Sequence, residues 1–333
     1  MLFPSADFIH DLTTALPEAR RGGVVAIGNF DGVHRGHQIV LERAMELART
    51  KGVPCTALSF EPHPRTLFKP QSPVFRLTPQ DMKARVLAAL GLDGLLVLPF
   101  TRELAGTSAD DFVDLHLLAA AGASHIVTGF NFHFGKDRAG SPEFLKAKGE
   151  KSGFGVTIVE AQADENADPI SSSRIRRCLG SADVVQAAGL LGYRWCVRGE
   201  VIKGAQLGRT LGYPTANIAL PENCRLAHGI YAVRLRRADG SLHNGVASYG
   251  RRPTFDNGEA LLETFVFDFQ DDLYGEEIEI TLFGHLRGEE KFDSAEALVE
   301  QMNRDSAEAR ALLSAVSPLS ALDQSIAFEG LVE

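Results

Sequence analysis

Residues 24–52 read VVAIGNFDGVHRGHQIVLERAMELARTKG. The first part, VVAIGNF, is an uninterrupted apolar run, which predicts a strand buried on both faces. From His37 on, the pattern is helical and predicts a helix ending at Gly52. The join holds three glycines, an Asp and two histidines three residues apart. A strand–Gly loop–helix unit presents unpaired N–H groups and a positive dipole end to an anion. His34 and His37, at i and i+3, lie on one face of that helix start. There they can donate to a phosphate whose charge grows as it is attacked. The loop is neither a G-x-x-x-x-G-K-[ST] phosphate loop nor G-x-G-x-x-G. As a metal pair it supplies only two ligands, and no H-E-x-x-H follows. The plain alternative is a pair of surface histidines beside a turn, and the glycine-rich context favours the phosphate reading over it.

The same texture continues to about residue 160. PCTALSFEPHP, GLLVLPF, HIVTGFNFHFG and GVTIVEAQ read as further strands, and TPQDMKARVLAALGL and SADDFVDLHLLAAAG as helices. Strands alternating with helices predict a parallel sheet covered on both faces, with ligands at the carboxyl ends of its strands. GNFDGVHRGHQ, FEPHPR and GFNFHFGKDRAG all lie just past strand ends. In FEPHPR two prolines stiffen the chain around His63. That loop either holds His63 or Arg65 against a ligand or merely turns the chain. ISSSRIRRCL starts a helix that its serines cap; it is a plain surface helix or it adds Arg174 or Arg176 to a phosphate site.

From about Trp195 short strands follow one another, with a hairpin turn at Asp239-Gly240, which predicts a small β-barrel. SAEALVEQMNRDSAEARALLSAV then reads as an amphipathic helix closing it. The expected boundary lies near residue 186, and residues 316–333 form a weakly patterned tail. GAQLGRTLGYPTANIAL is irregular and rich in donors; its Thr215 hydroxyl and Asn217 carbonyl are hard oxygen ligands suited to Mg²⁺ carrying nucleotide phosphates, or it is a turn entering a strand. In ALLETFVFDF, alternation puts Leu261, Glu263, Phe265, Phe267 and Phe269 on one face. A carboxylate on an apolar face is costly to ionise and suits a general base; alternatively it pairs with a buried Arg.

The formal net charge is −9, with 44% hydrophobic and 23% charged residues. An acidic chain does not fit nucleic-acid binding, which draws on excess Lys and Arg. No run of about 18 apolar residues predicts a membrane span, and the N-terminus has no long apolar core of a signal peptide. Four cysteines, far apart and without C-x-x-C, predict a reduced cytoplasmic protein without a zinc site.

Taken in order, GNFDGVHRGH, FEPHPR, GFNFHFGKDRAG, ISSSRIR, GEVIKGAQLGRTLGYPTANI, GIYAVRL, GRRPTF, LLETFVFDFQDDLYG and EEKF resemble the bifunctional riboflavin kinase/FAD synthetase family of bacteria over nearly the whole chain. The resemblance implies an α/β plus β molecule. Its first part is a Rossmann-like H-x-G-H nucleotidyltransferase domain, residues 1–185, that adenylates FMN. Its second is a riboflavin kinase barrel, residues 186–315, closed by a helix. His34 and His37 would act on ATP phosphates, and Glu263 would be the kinase base. Gly28, Phe30, Asp31, Gly32, Gly36, Ser171, Ser172, Ser173, Arg176, Gly208 and Arg209 would bind nucleotide or phosphate. Pro62, His63, Asn131 and Phe132 would bind flavin or nucleotide, and Thr215 and Asn217 the metal. Implied ligands are riboflavin, FMN, ATP and Mg²⁺; the oligomeric state is left open. The family often has A-N-x-G where Ala247–Gly250 stand, and His where Phe265 stands. Other readings are an H-x-G-H nucleotidyltransferase for another phosphorylated substrate, which the barrel with Thr215, Asn217 and Glu263 disfavours, and a flavin-binding regulator, which the full set of reactive residues disfavours.

Overall fold

The computed structural model describes residues 6–160, 163–165, 167–204, 211–251 and 260–330. The chain divides into two compact units, one running to Ser172 and one from Ser173 onward.

The first unit is built on six strands: β1 (Ile9–Asp11), β2 (Val24–Ile27), β3 (Cys55–Glu61), β4 (Gly94–Pro99), β5 (His125–Gly129) and β6 (Gly155–Val159). They pair in the order β1-β4-β3-β2-β5-β6, parallel throughout. Five of the six match the apolar runs of the sequence; β1, three residues long, is too short to show a period. The connecting helices are α1 (Arg35–Lys51), α2 (Pro64–Phe68), α3 (Gln80–Leu90), α4 (Arg102–Gly106), α5 (Ala109–Asp111) and α6 (Pro142–Ser152). SADDFVDLHLLAAAG is not one α-helix: after α5 it continues as a π-helical stretch, Phe112–Ala120. All four residues of β2 are buried, as its unbroken apolar run requires. The strand has β3 on one side and β5 on the other, so the chain reverses its direction across the sheet there. In open parallel sheets that reversal opens the ligand crevice at the carboxyl ends of the strands. The loops after β2 and β5 both start at that edge.

The second unit opens with α7 (Ser172–Gly180, its first residue still in the first unit) and α8 (Val184–Leu191). Its sheet contains β7 (Cys196–Glu200), β8 (Thr215–Ala219), β9 (Gly229–Arg236), β10 (Leu242–Arg251), β11 (Ala260–Val266) and β12 (Glu277–Arg287) in the order β7-β12-β9-β10-β11-β8. All pairings are antiparallel, and a bridge between Ile202 and Asn217 brings the two edges together into a nearly closed barrel. The β9–β10 turn falls at Gly240, in the left-handed region at φ 100°. A closing helix, Ala295–Ala315, buries Ala309 and Leu313 against the sheet.

The division at Ser172/Ser173 falls ahead of residue 186 because both intervening helices belong to the second unit. The Ala227 amide donates to Leu179 O at 2.9 Å, and α8 buries Ala187, Leu190 and Leu191. The weakly patterned C-terminal stretch is a docked element, with a terminal helix, Ala321–Ala327. Its Asp323 is fully buried and paired with Arg194. Arg234 and Arg236 donate to the carbonyls of Ala327, Ile326 and Glu329. The Arg194 and Arg234 guanidinium groups both stack on Phe283 and Phe328. The helix buries Leu322, Ile326 and Ala327, and three arginines from other elements hold it further.

Candidate functional site

The loop after β2 is pinned from several directions. Phe30, Gly32 and Val33 have φ of 46°, 86° and 38°. Two of these are not glycine, so surrounding contacts must hold the turn. Asp31 is buried and its Oδ1 accepts from the amides of Leu77 at 2.9 Å and Thr78 at 3.2 Å. The Gly32 amide donates to Thr78 Oγ1 at 2.8 Å. Arg76 donates to Glu61 Oε1 at 2.5 Å and lies 3.5 Å from Asp31 Oδ1. Ser172 Oγ donates to Asp31 O at 2.9 Å, which ties the last residue of the first unit to the glycine loop.

His34 is the N-cap of α1, and its Nδ1 accepts from the His37 amide at 3.3 Å. The two imidazoles stack, with centroids 3.6 Å apart and planes 15° apart. Phe30 meets His37 edge-on at 5.4 Å. A Cβ on Gly36 would come within 3.3 Å of His34 Nδ1, so the residue between the histidines leaves room for the stack. Burial holds His37 well below the usual imidazole range, helped by the neighbouring His34 and Lys83. His37 Nδ1 is enclosed and has no hydrogen-bond partner among the described residues. Two stacked imidazoles repel when both are charged, so the pair enters a ligand complex with at most one proton to spare.

The loop after β3 begins with a cis Glu61-Pro62 bond, and His63 caps α2 by accepting from the Arg65 amide at 3.2 Å. Pro62 is exposed, Asn131 is exposed and Phe132 is half-buried. Phe132 stacks on Phe60 at 6.5 Å and on Phe134 at 5.6 Å, so the loop after β5 meets the end of β3 through aromatic rings. Phe68 and Phe100 extend this array: Phe100 lies edge-on to Phe60 at 5.9 Å and to Phe68 at 6.0 Å. Phe68 is 66% exposed. The sequence reading missed Phe68 and Phe100; a run of phenylalanines after successive strand ends was the available signal. Ser171 is half-buried and Ser173 exposed; Arg176 follows Ser172 by four residues on α7, hence on the same helix face.

In the second unit the pairing register lines up the kinase candidates. Asn217, Glu263 and Ser248 lie abreast on β8, β11 and β10, and Thr215, Phe265 and Val246 form the next row on that face. The Thr215 hydroxyl donates to Asn217 Oδ1 at 3.4 Å, which turns two hard oxygens toward each other. Both residues line a cavity of about 200 Å³ with Val201, Val266, Leu273 and Tyr274. Glu263 does not line it. The strand departs from the expected apolar face: β11 ends at Val266, so Phe267 and Phe269 lie beyond it, and Leu262, Thr264 and Val266 pack inward. Glu263 is half-buried on the other face. Leu261, on the side of Glu263, is buried too, which is why alternation alone misassigned the inner face. Both departures from the family pattern flank reactive groups, Ser248 beside Glu263 and Phe265 beside Thr215. The Phe265 ring packs on Tyr213 at 4.6 Å. Gly208 and Arg209 lie outside the described residues. No cluster of three metal-binding His, Cys, Asp or Glu occurs among the described residues.

A family model described as FAD synthetase matches residues 16–174, and one described as riboflavin kinase matches residues 191–313. The bifunctional riboflavin kinase/FMN adenylyltransferase of Listeria monocytogenes is 40% identical over 291 residues, 86% of this chain and 91% of the relative. That of Pseudomonas fluorescens is 40% identical over 306 residues, 91% and 97% respectively. That of Escherichia coli K12 is 35% identical over 310 residues, 93% and 98%. A crystal structure described as a macrolide-efflux protein from Streptococcus pneumoniae superposes with a TM-score of 0.81 at 32% identity, covering 91% of this chain and 99% of that one. Among the described residues no helix is long and apolar enough to cross a membrane. Matched in both halves and over most of its length, the chain belongs to the bifunctional riboflavin kinase/FMN adenylyltransferase family.

Proposed function

We infer that the chain phosphorylates riboflavin with ATP to give FMN and ADP, then adenylates FMN with a second ATP to give FAD and pyrophosphate. Adenylation belongs to the N-terminal domain, proposed as residues 1–185, and phosphorylation to the barrel, proposed as residues 186–315. The observation that carries the first assignment is the stacked His34–His37 pair at the start of α1, beside a glycine loop with its amides turned by positive φ. The FMN phosphate is already ionised, so its attack on the α-phosphorus of ATP needs no base. It needs positioning and charge stabilisation as pyrophosphate leaves. A neutral His37 supplies an N–H to the phosphates without first burying a cation. Gly28, Phe30, Asp31, Gly32 and Gly36 shape the loop around the phosphates, and Ser171, Ser172, Ser173 and Arg176 hold the triphosphate. The aromatic array around Phe60 and Phe132 offers flat faces to the flavin, with Pro62, His63 and Asn131 at its rim.

In the barrel, Glu263 accepts the proton of the ribityl 5′-hydroxyl as the γ-phosphoryl group is transferred. The two converging oxygens of Thr215 and Asn217 fit Mg²⁺, which takes few protein ligands and completes its shell with phosphate oxygens and water. When bound there, Mg²⁺ neutralises charge on the ATP phosphates. Asn217, abreast of Glu263, orients the nucleotide toward the base, and Gly208 and Arg209 are proposed to hold its phosphates. The free cysteines are consistent with a cytoplasmic location. Incubation of the purified protein with riboflavin, ATP and Mg²⁺, followed by chromatography, should resolve FMN and then FAD. Absence of both products from folded protein would overturn the reading.

A further inference from the structure

Lys83 is a buried cation to which neither reaction assigns a role. α3 carries it into the interior, where it is 1% exposed. A lysine held there loses its hydration and much side-chain entropy, so its partners matter. Its Nζ donates to Asn29 O at 2.9 Å and to Ser59 Oγ at 2.6 Å. Ser59 Oγ donates to the same Asn29 O at 3.0 Å. One carbonyl thus receives two buried donors, from two different elements. That carbonyl belongs to the peptide entering Phe30, where the chain takes the φ of 46° that only surrounding contacts can hold. The charged and titratable groups around Lys83 are Arg76 before α3, Asp31 in the loop, Glu61 at the end of β3 and His37 on α1.

We propose that Lys83 is a positioning residue for adenylyl transfer: its bond to the Asn29 carbonyl fixes the Gly28–Gly32 turn in the shape that receives the ATP phosphates. The proposal rests on the FMN adenylyltransferase reading of this unit. Burial, with Arg76 beside it, lowers Lys83 to about 7, against the opposing pull of Asp31 and Glu61. The charge is therefore present below about pH 7 and is shed above it, while the neutral amine keeps N–H groups for Asn29. The same charge adds to the burial and to the His34 contribution that hold His37 neutral.

The test uses the full chain carrying Lys83→Met, which keeps the length of the stem and removes the donor. FAD formation from FMN and ATP is measured from pH 6 to 9, with circular dichroism and the thermal transition as the check on folding and FMN formation from riboflavin as the control in the other unit. The KM for ATP should rise about tenfold, the worth of one charged hydrogen bond, with the KM for FMN and the kinase rate little changed. Wild type should lose ATP affinity as pH rises through about 7, and the variant should lack that component. The His37 imidazole, followed by NMR, should titrate at higher pH in the variant. An unchanged KM for ATP, or equal rises in the KM for ATP and for FMN, would overturn the proposal. Should K83M fail to fold, Ser59→Ala removes the other donor to Asn29; it should raise the KM for ATP roughly threefold, and no rise overturns the proposal. A wild-type protein that makes no FAD from FMN overturns the adenylyltransferase reading, whereas K83M matching an active wild type overturns the role of Lys83 alone.

Discussion

His37 and Glu263 are each asked to do one thing, and each can be removed without touching the other unit. His37→Ala loses the ring that stacks on His34 and, with it, the N–H proposed to reach the phosphates. FAD formation should fall about 10²-fold or more, the usual worth of a donor at a developing charge, while FMN accumulates from riboflavin at the wild-type rate. Chromatography of a single time course reads both products; loss of both from folded protein would break the assignment of His37 to one reaction. Glu263→Gln keeps the shape and one hydrogen bond but cannot take the proton. FMN formation should drop by roughly 10²–10⁴-fold, with riboflavin affinity changed far less. Given FMN, the variant should make FAD normally. A Gln variant with wild-type kinase rate would remove Glu263 from the role of base.

At the level of elements, the terminal helix is the part whose contribution the chain makes hardest to guess. Its Asp323 carboxylate, itself fully buried, accepts from the buried Arg194 guanidinium and amide and from the Leu319 amide. Burial lowers the Arg194 pKa although Asp323 pulls the other way, so removing the carboxylate leaves an uncompensated buried cation. Asp323→Ala should destabilise the second unit by about 3–5 kcal/mol, seen as an earlier urea or thermal transition. Asp323→Asn, which retains hydrogen bonding, should cost less. Equal stability of D323A and wild type would mean that the helix is not a fixed part of the barrel.

For the whole molecule, the two units imply separable activities. α8 buries five of its eight residues, Val184, Ala187, Ala188, Leu190 and Leu191. A fragment beginning at Gln186 cuts that helix near its start, whereas Ser173–Glu333 keeps α7, α8 and the terminal helix. The longer fragment should fold and convert riboflavin to FMN without making FAD, and unfold at a higher temperature than one begun at Gln186. A folded Ser173–Glu333 fragment without kinase activity would show that the kinase needs residues of the first unit.

Short-range signals carried much of this in the sequence alone. The β2–loop–α1 unit, the alternation of strands and helices, the Gly52 and Gly240 boundaries and the motif residues Thr215, Asn217 and Glu263 are written in neighbouring residues, because strand and helix periods and turn chemistry act over a few positions. Other features needed the folded chain. β1 is three residues long and exists through its pairing with β4. Lys83 on an otherwise ordinary helix becomes a buried donor only when Asn29, 54 residues away, is brought to it. Arg194 finds Asp323 across 129 residues, and the inner face of β11 is set by its neighbours rather than by its own alternation. Partners so far apart leave no periodic trace, since the free energy that selects them comes from burial and from satisfying polar groups in the tertiary structure.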